Sequence, residues 1–155
     1  MRIAVVGLGY WGPNLIRNFA ANEQVDEVIC FDIDSQRSKS TSAKFPKVHP
    51  MSTYDEVLDS DCAGIALAVP VSQHYPLGIK ALQRGKHLLV EKPMAVNALQ
   101  CEEMIRAAEA SRVALMVDHT FVYTGAVRKM KEIVSSGGIG DMYYFDSVRA
   151  RGRSP

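Results

Sequence analysis

The sequence has almost no net charge and few cysteines. Its 18 basic and 17 acidic residues leave a formal net charge of +1, and because both signs are interspersed, no basic face for nucleic acid is expected. Cys30, Cys62 and Cys101 are odd in number and lie within apolar runs, so we expect reduced, buried structural thiols and no disulfide framework. The partners that this composition predicts are small molecules and further copies of the chain.

A long hydrophobic run is also missing. Arg2 leads directly into a short apolar stretch, and nothing after it has the length of a signal peptide core or a membrane span. We therefore expect a cytoplasmic protein with no membrane partner. The histidines, at 49, 74, 87 and 119, lack metal-ligand spacing, so no metal site is expected.

What the sequence does have is a regular alternation of apolar runs and helical segments. The runs are continuous, as burial on both faces of a parallel sheet requires. Strands are predicted at residues 3–6, 28–31, 48–49, 65–69, 88–90 and 113–117. Helices are predicted at 14–21 and 35–44 and after caps at Thr53, Ser72 and Asn97, with stops at Gly85 and Ala110 for the last two. Residues 1–120 are thus predicted to form an α/β fold, a doubly wound parallel sheet of the Rossmann type.

The pattern changes after residue 120. A helix is predicted over 124–136 and a strand rich in tyrosine and phenylalanine over 141–149, followed by RGRSP. Because a lone helix and strand cannot bury a core, residues 121–155 are expected to begin an incomplete second α/β domain in a truncated chain. An unpaired strand with Tyr143, Tyr144 and Phe145 would be an exposed edge prone to dimerisation or aggregation.

A glycine-rich sequence joins the first predicted strand to the first helix. It reads Gly7-Leu8-Gly9-Tyr10-Trp11-Gly12, the fingerprint of a dinucleotide-binding loop in the context that this function requires. The first glycine permits a tight turn, the second allows the backbone to approach a pyrophosphate, and the third allows close packing of helix and strand. The helix N-terminus and the backbone N–H groups of Tyr10 and Trp11 would bind the phosphates, and the two rings are expected to serve as packing.

An acidic residue follows the second predicted strand. Asp32 lies twenty residues after Gly12, where a carboxylate accepts both adenosine ribose hydroxyls and repels a 2′-phosphate. This favours NAD(H) and leaves NADP(H) possible, because Arg37 is either a surface residue or a cation that turns toward a 2′-phosphate.

From residue 65 onward the sequence resembles one group of Rossmann enzymes. These are the glucose-fructose oxidoreductase, inositol dehydrogenase and rhizopine-catabolism (Gfo/Idh/MocA) oxidoreductases. The resemblance rests on short motifs in order: AVP at 68–70 with a histidine at 74, GKH at 85–87, EKP at 91–93, DHTF at 118–121 and GGIGD at 137–141. It covers nearly the whole chain.

The resemblance implies the remaining site residues. Lys92 would lie beside nicotinamide and substrate as the catalytic residue, and the Lys92–Pro93 bond would be cis. Glu91 either orients Lys92 and lines the cofactor site or faces water. Val69 and Pro70 would line the cofactor site. His74 either contacts the nicotinamide side or lies early in a helix and touches no ligand, and His119 either contacts a ligand or packs between domains.

Three functions agree with these observations. The first is an NAD-dependent dehydrogenase acting on a secondary alcohol or ketone of a sugar, cyclitol or nucleotide sugar, a homo-oligomer in its full-length form. The second is a catalytically incomplete NAD(H)-binding module, because the family's second domain usually supplies an acid-base histidine. The third is an NADP-dependent reductase of the same fold acting on aromatic diols or pyrrole pigments.

Overall fold

The computed structural model describes residues 1–148 and contains one parallel sheet in that part of the chain. Its strands are β1 (Arg2–Val6), β2 (Glu27–Phe31), β3 (Val48–Pro50), β4 (Gly64–Leu67), β5 (His87–Val90) and β6 (Leu115–Val117). They are arranged in the order β3-β2-β1-β4-β5-β6, which is the strand order of the dinucleotide-binding Rossmann fold. The predicted doubly wound α/β sheet is therefore confirmed.

Helices connect the strands and cover both faces of the sheet. They are α1 (Gly12–Ala21), α2 (Ser35–Ser42), α3 (Tyr54–Asp59), α4 (Val71–Gln83), α5 (Ala98–Ser111) and α6 (Gly125–Ser135). A short 3₁₀ turn, Thr120–Tyr123, precedes α6. The predicted caps at Thr53 and Asn97 are confirmed, since their side chains accept hydrogen bonds from the backbone N–H groups of Glu56 and Gln100.

Two apolar clusters hold the sheet, one on each face. Neighbouring residues of β1 point to opposite faces, so Val5 packs with Val28 of β2 and Ile16 of α1, whereas Ala4 and Val6 belong to the other cluster. All five are almost fully buried. Burial on both faces is why the strands are continuous apolar runs in the sequence.

Several predicted boundaries differ from the structure. The cap at Ser72 is wrong, because α4 begins at Val71 and Pro70 occupies its N-cap position. The fixed φ of proline suits a helix start, so the chain turns into α4 before it reaches the serine. β4 ends at Leu67 and β6 begins at Leu115, which shortens both strands relative to the prediction.

The predicted strand over 141–149 is also wrong for the part that the structure describes. Residues 141–148 carry no strand, since a single extended segment has no neighbour to hydrogen-bond. Arg149 lies outside the described residues. Tyr143 and Tyr144 are nevertheless 92% and 83% exposed, so apolar surface is present here without the predicted sheet edge.

The chain divides into two compact units. The first is Met1–Asp118 and the second begins at His119, two residues before the predicted start of the second domain. Within the described residues, no helix has the length and apolar character needed to cross a membrane. In the same described residues, no three His, Cys, Asp or Glu side chains lie together in a group that could hold a metal ion.

Candidate active site

The carboxyl ends of the parallel strands gather the predicted site residues at one edge of the sheet. Gly7 follows β1, Asp32 follows β2 and Glu91 follows β5, while Val69 lies two residues beyond the end of β4. In open α/β sheets this edge is where ligands bind. The structure therefore brings together residues that lie as much as 84 positions apart in the sequence.

The glycine loop is shaped by two close backbone approaches. Gly7 has a φ of +91°, and a Cβ built on it would lie 2.5 Å from the carbonyl oxygen of Ala68. A Cβ on Gly12 would lie 1.9 Å from the carbonyl oxygen of Gly7. Both positions therefore require glycine, one for its conformation and both for lack of space.

Gly9 differs from these two glycines because the space beside it is open. The nearest atom to a Cβ built there is a guanidinium nitrogen of Arg37 at 3.9 Å. No side chain caps the N-terminus of α1, where Trp11 is the N-cap residue. An open backbone loop next to an uncapped helix N-terminus fits a pyrophosphate, which binds to backbone N–H groups.

The rings of Tyr10 and Trp11 were predicted to serve as packing, but they lie largely at the surface. Tyr10 is 92% exposed, Trp11 is 40% exposed, and their ring centroids lie 6.4 Å apart in a stacked arrangement. Both residues belong to the glycine-rich segment between Gly7 and Gly12, so their exposed rings lie close in sequence to the predicted phosphate position.

Asp32 is tied to the glycine loop by a buried hydrogen bond. Its Oδ2 accepts the backbone N–H of Leu8 at 2.6 Å and its Oδ1 accepts that of Asp34 at 2.8 Å. The residue is 9% exposed. Since each carboxylate oxygen has a second lone pair, Asp32 can hold the loop and still accept ribose hydroxyls.

Arg37 lies beside these carboxylates. Its guanidinium is 3.4 Å from Asp34 Oδ2 and 3.9 Å from Asp32 Oδ2, and its side chain is 54% exposed. Arg37 is thus a half-exposed ion-pair partner of two acids. A 2′-phosphate would have to compete with both carboxylates for it.

His74 joins the loops that follow β4 and β5. Its ring nitrogens lie 2.9 Å from the carbonyl oxygens of Val69 and Pro93, and the residue is 1% exposed. Both ring nitrogens therefore lie within hydrogen-bond distance of a backbone carbonyl, one in each loop. Contact of His74 with nicotinamide stays a prediction, and the geometry gives the residue a positioning role.

Lys92 is exposed at the end of β5, and the Lys92–Pro93 bond is cis as predicted. The preceding residue, Glu91, is half-buried, and its carboxyl interacts with that of Asp118 at the end of β6. Burial raises the pKa of Glu91, and hydrogen bonding and charge repulsion from Asp118 raise it further. The sequence reasoning missed Asp118 as a site residue, although it directly follows the strand predicted over 113–117.

The remaining predicted residues fall in different places. The Val69 side chain lies against the glycine loop, 2.8 Å from a Cβ built on Gly7, and Pro70 is exposed at the start of α4. His119 is exposed and begins the second unit. Its contact with a ligand stays a prediction.

The cysteines have the structural character expected of them. Cys30 and Cys62 are buried, Cys101 is half-buried, and all three are free thiols. Burial raises the pKa of Cys30 to about 11, which keeps its thiol protonated and unreactive at neutral pH.

Comparison with known proteins agrees with this geometry. Residues 1–119 match the oxidoreductase family with an NAD-binding Rossmann fold that is designated GFO_IDH_MocA. An uncharacterised oxidoreductase of Streptococcus pneumoniae is 31% identical over 152 residues, 96% of this chain and 40% of that protein. The NADP(+)-dependent scyllo-inositol 2-dehydrogenase IolU of Bacillus subtilis is 31% identical over 117 residues, 75% of this chain and 36% of that protein.

Solved structures show the same fold. GenD2 from gentamicin A biosynthesis, solved in complex with NAD, superposes with a TM-score of 0.84 at 25% identity, covering 89% of this chain and 40% of GenD2. The sheet and glycine loop define a dinucleotide-binding Rossmann protein. The chain belongs to the Gfo/Idh/MocA oxidoreductase family, and it spans about 40% of the length of the relatives described above.

Proposed function

We propose that the chain binds NAD(H) and forms the cofactor-binding part of a dehydrogenase. The substrate would be a secondary alcohol, or the corresponding ketone, of a sugar, cyclitol or nucleotide sugar. The observation that carries the cofactor preference is the buried carboxylate of Asp32, bonded to the glycine loop through the N–H of Leu8. A negative charge fixed there favours ribose hydroxyls over a 2′-phosphate.

Different residues at the carboxyl edge of the sheet would bind the cofactor and act on the substrate. Gly9 and the N-terminus of α1 would bind the pyrophosphate, and Asp32 the adenosine ribose. The bound nicotinamide supplies a hydride acceptor or donor. Lys92 would stabilise the substrate oxygen: its ammonium donates a proton to the oxygen during ketone reduction, and its neutral amine takes the hydroxyl proton during alcohol oxidation.

The substrate class rests on the relatives. IolU is a scyllo-inositol dehydrogenase, and a second relative, from Comamonas testosteroni, is a dehydrogenase of a chlorinated dihydroxycyclohexadiene carboxylate, 30% identical over 96% of this chain. Both are named as dehydrogenases of hydroxylated six-membered carbon rings, which supports a polyol substrate here. The cytoplasmic location and the homo-oligomeric full-length form stay predictions.

A second candidate is an NAD(H)-binding module without turnover. It agrees with the coverage, because about 60% of the length of these relatives lies outside the part that this chain matches, and further substrate and acid-base groups would lie there. The NADP-dependent reductase is a third candidate, and the ion pairs of Arg37 with Asp32 and Asp34 count against it. Hydride transfer to a panel of polyols separates the first candidate from the second.

The cofactor preference is tested by titrating the chain with NADH and NADPH. We expect tighter binding of NADH, and in Asp32→Asn a loss of about tenfold or more in NADH affinity, because a charged acceptor of the ribose hydroxyls is removed. Asparagine keeps one of the two oxygens and so can accept one of the two backbone N–H groups that Asp32 binds, whereas alanine can accept neither. Calorimetry or nicotinamide fluorescence measures both affinities.

Asp34→Asn is the matched control for this experiment. It removes a carboxylate from the same loop, and asparagine caps α2 as well as aspartate does. The control should keep the wild-type NADH affinity, which is the quantity compared between the two variants, because no ribose contact is assigned to Asp34. Equal effects of the two substitutions would contradict the role of Asp32, and a folded chain that binds neither cofactor would contradict the proposed function of this chain.

A further inference from the structure

A pair of carboxyl groups lies at the carboxyl edge of the sheet beside Lys92. β5 and β6 are parallel neighbours with Val90 opposite Val117, so Glu91 and Asp118 are the next residues in the same register. The backbone N–H of Asp118 donates to the carbonyl of Val90 at 2.9 Å, which fixes this register at the strand ends. Residues in register on neighbouring strands have side chains on the same face of the sheet.

One oxygen of the Glu91 carboxyl is buried and receives no hydrogen bond from the described part of the protein, which is unfavourable for an ionised carboxylate. Within residues 1–148, Glu91 Oε1 is the buried side-chain oxygen or nitrogen that has no hydrogen-bond partner. Asp118 acts on that carboxyl through side-chain hydrogen bonding and through charge repulsion, and both raise the pKa of Glu91. Two ionised carboxylates are acceptors only, so this contact requires a proton on one of them.

We propose that Glu91 and Asp118 share one proton, carry a single negative charge together, and act as positioning residues that set the charge beside Lys92. The part concerning Lys92 rests on the proposed function, in which that lysine exchanges a proton with the substrate oxygen. A pair that carries one negative charge attracts the lysine side chain less strongly than a doubly ionised pair would.

The surroundings of Glu91 agree with a shared proton. The titratable groups that act on its carboxyl are Asp118 from the end of β6 and Lys92 from the next position in the chain, whose backbone N–H also donates to it. β4, on the other side of β5, contributes the backbone carbonyl of Leu67, which accepts the N–H of Glu91. From α4, His74 directs its ring nitrogens to backbone carbonyls of Val69 and Pro93. Burial and Asp118 raise the pKa of Glu91 more than Lys92 lowers it.

The test is a carbon-13 NMR titration of the chain labelled at the carboxyl carbons and at lysine Cε. In the wild type we expect the Glu91 carboxyl to titrate above the ordinary range of glutamate, with the Lys92 Cε signal reporting the same step. In Asp118→Asn the Glu91 midpoint should fall, because the second charge is gone and the amide N–H donates to the glutamate carboxylate. The Glu91 step that the Lys92 Cε signal reports should move to the same lower pH.

Glu109→Gln, on the exposed surface of α5, is the matched control and should leave both titrations unchanged. Thermal unfolding of each variant checks that it is folded. A Glu91 midpoint in the ordinary range, or one that Asp118→Asn leaves unchanged, would overturn the shared proton. A Lys92 signal that does not follow the Glu91 step would overturn the link to the lysine.

Protein stability gives a second measurement with a definite sign. Because the pKa of Glu91 is raised in the folded state, its contribution to stability is complete below the pKa of the unfolded chain and is lost as the pH rises through the folded value. The unfolding free energy of the wild type should therefore fall with rising pH in that window relative to Glu91→Gln, which has no proton to lose. Parallel curves for the two proteins would contradict the shared proton.

These measurements need no substrate or cofactor. If the chain fails to bind NADH but shows the coupled titration, the proposed carboxyl pair is supported and the proposed function is contradicted. If the chain binds NADH but the titration of Glu91 does not depend on Asp118, the proposed function is supported and the proposed carboxyl pair is contradicted.

Discussion

Gly12→Ala is expected to destabilise the first unit by about 3 kcal/mol or more, the upper range for overpacked sites. The new methyl group would lie 1.9 Å from the carbonyl oxygen of Gly7, and a backbone atom cannot move aside as a flexible side chain can. Either the glycine loop or the start of α1 must shift. Urea unfolding followed by far-ultraviolet circular dichroism measures the loss.

Gly9→Ala is the control that separates folding from binding. Its methyl group would meet only the end of the Arg37 side chain at 3.9 Å. The free energy of unfolding should therefore stay within about 0.5 kcal/mol of the wild type, a much smaller change than the one expected for Gly12→Ala. NADH affinity should fall instead, because the methyl group would occupy the face that the pyrophosphate approaches. Normal NADH binding by Gly9→Ala would show that the cofactor does not cross the loop there.

Lys92→Met is expected to lower the rate of hydride transfer by about 10²- to 10⁴-fold, the usual contribution of a positioned acid-base group. Methionine keeps most of the length and apolar stem of the lysine but cannot donate or accept the proton. NADH affinity should change little, because no cofactor phosphate or ribose contact is assigned to Lys92. Stopped-flow fluorescence of NADH formation measures the rate, with scyllo-inositol and nucleotide sugars among the polyols tried.

Lys80→Met controls for the loss of a surface charge. Lys80 is exposed on α4, away from the carboxyl ends of the strands in sequence, and the variant should retain the wild-type rate. A Lys92→Met protein that turns over at the wild-type rate would remove Lys92 from the chemistry and leave the proton exchange to another group.

The glycine loop illustrates how far local sequence reasoning reaches. The spacing of Gly7, Gly9 and Gly12 between a strand and a helix is a property of about a dozen consecutive residues. The position of Asp32 is read from the end of the next predicted strand, twenty residues after Gly12. The caps at Thr53 and Asn97 are equally local, because each side chain bonds an N–H three residues away. These features were predicted because the interactions that create them span a few residues.

The errors and omissions involve distant or absent partners. The strand predicted over 141–149 has the right residue types, but no neighbouring strand forms hydrogen bonds with the part described. The carboxyl contact between Glu91 and Asp118 joins residues 27 positions apart, and the hydrogen bond of His74 to Pro93 spans 19. Such contacts depend on which strands become neighbours, and the residue pattern alone does not reveal that.

The sequence by itself determined the fold class, the glycine loop and the acidic residue that favours NAD(H), because hydrophobic periodicity and turn chemistry depend on residues that are close together in the sequence. Only the tertiary structure decided that Asp32 holds the glycine loop through Leu8, that His74 joins two loops, and that Glu91 meets Asp118. Each of these depends on the parallel order of the strands, which brings separate carboxyl ends to one edge. Burial at that edge then changes the chemistry of the groups it collects, as the raised pKa of Glu91 shows.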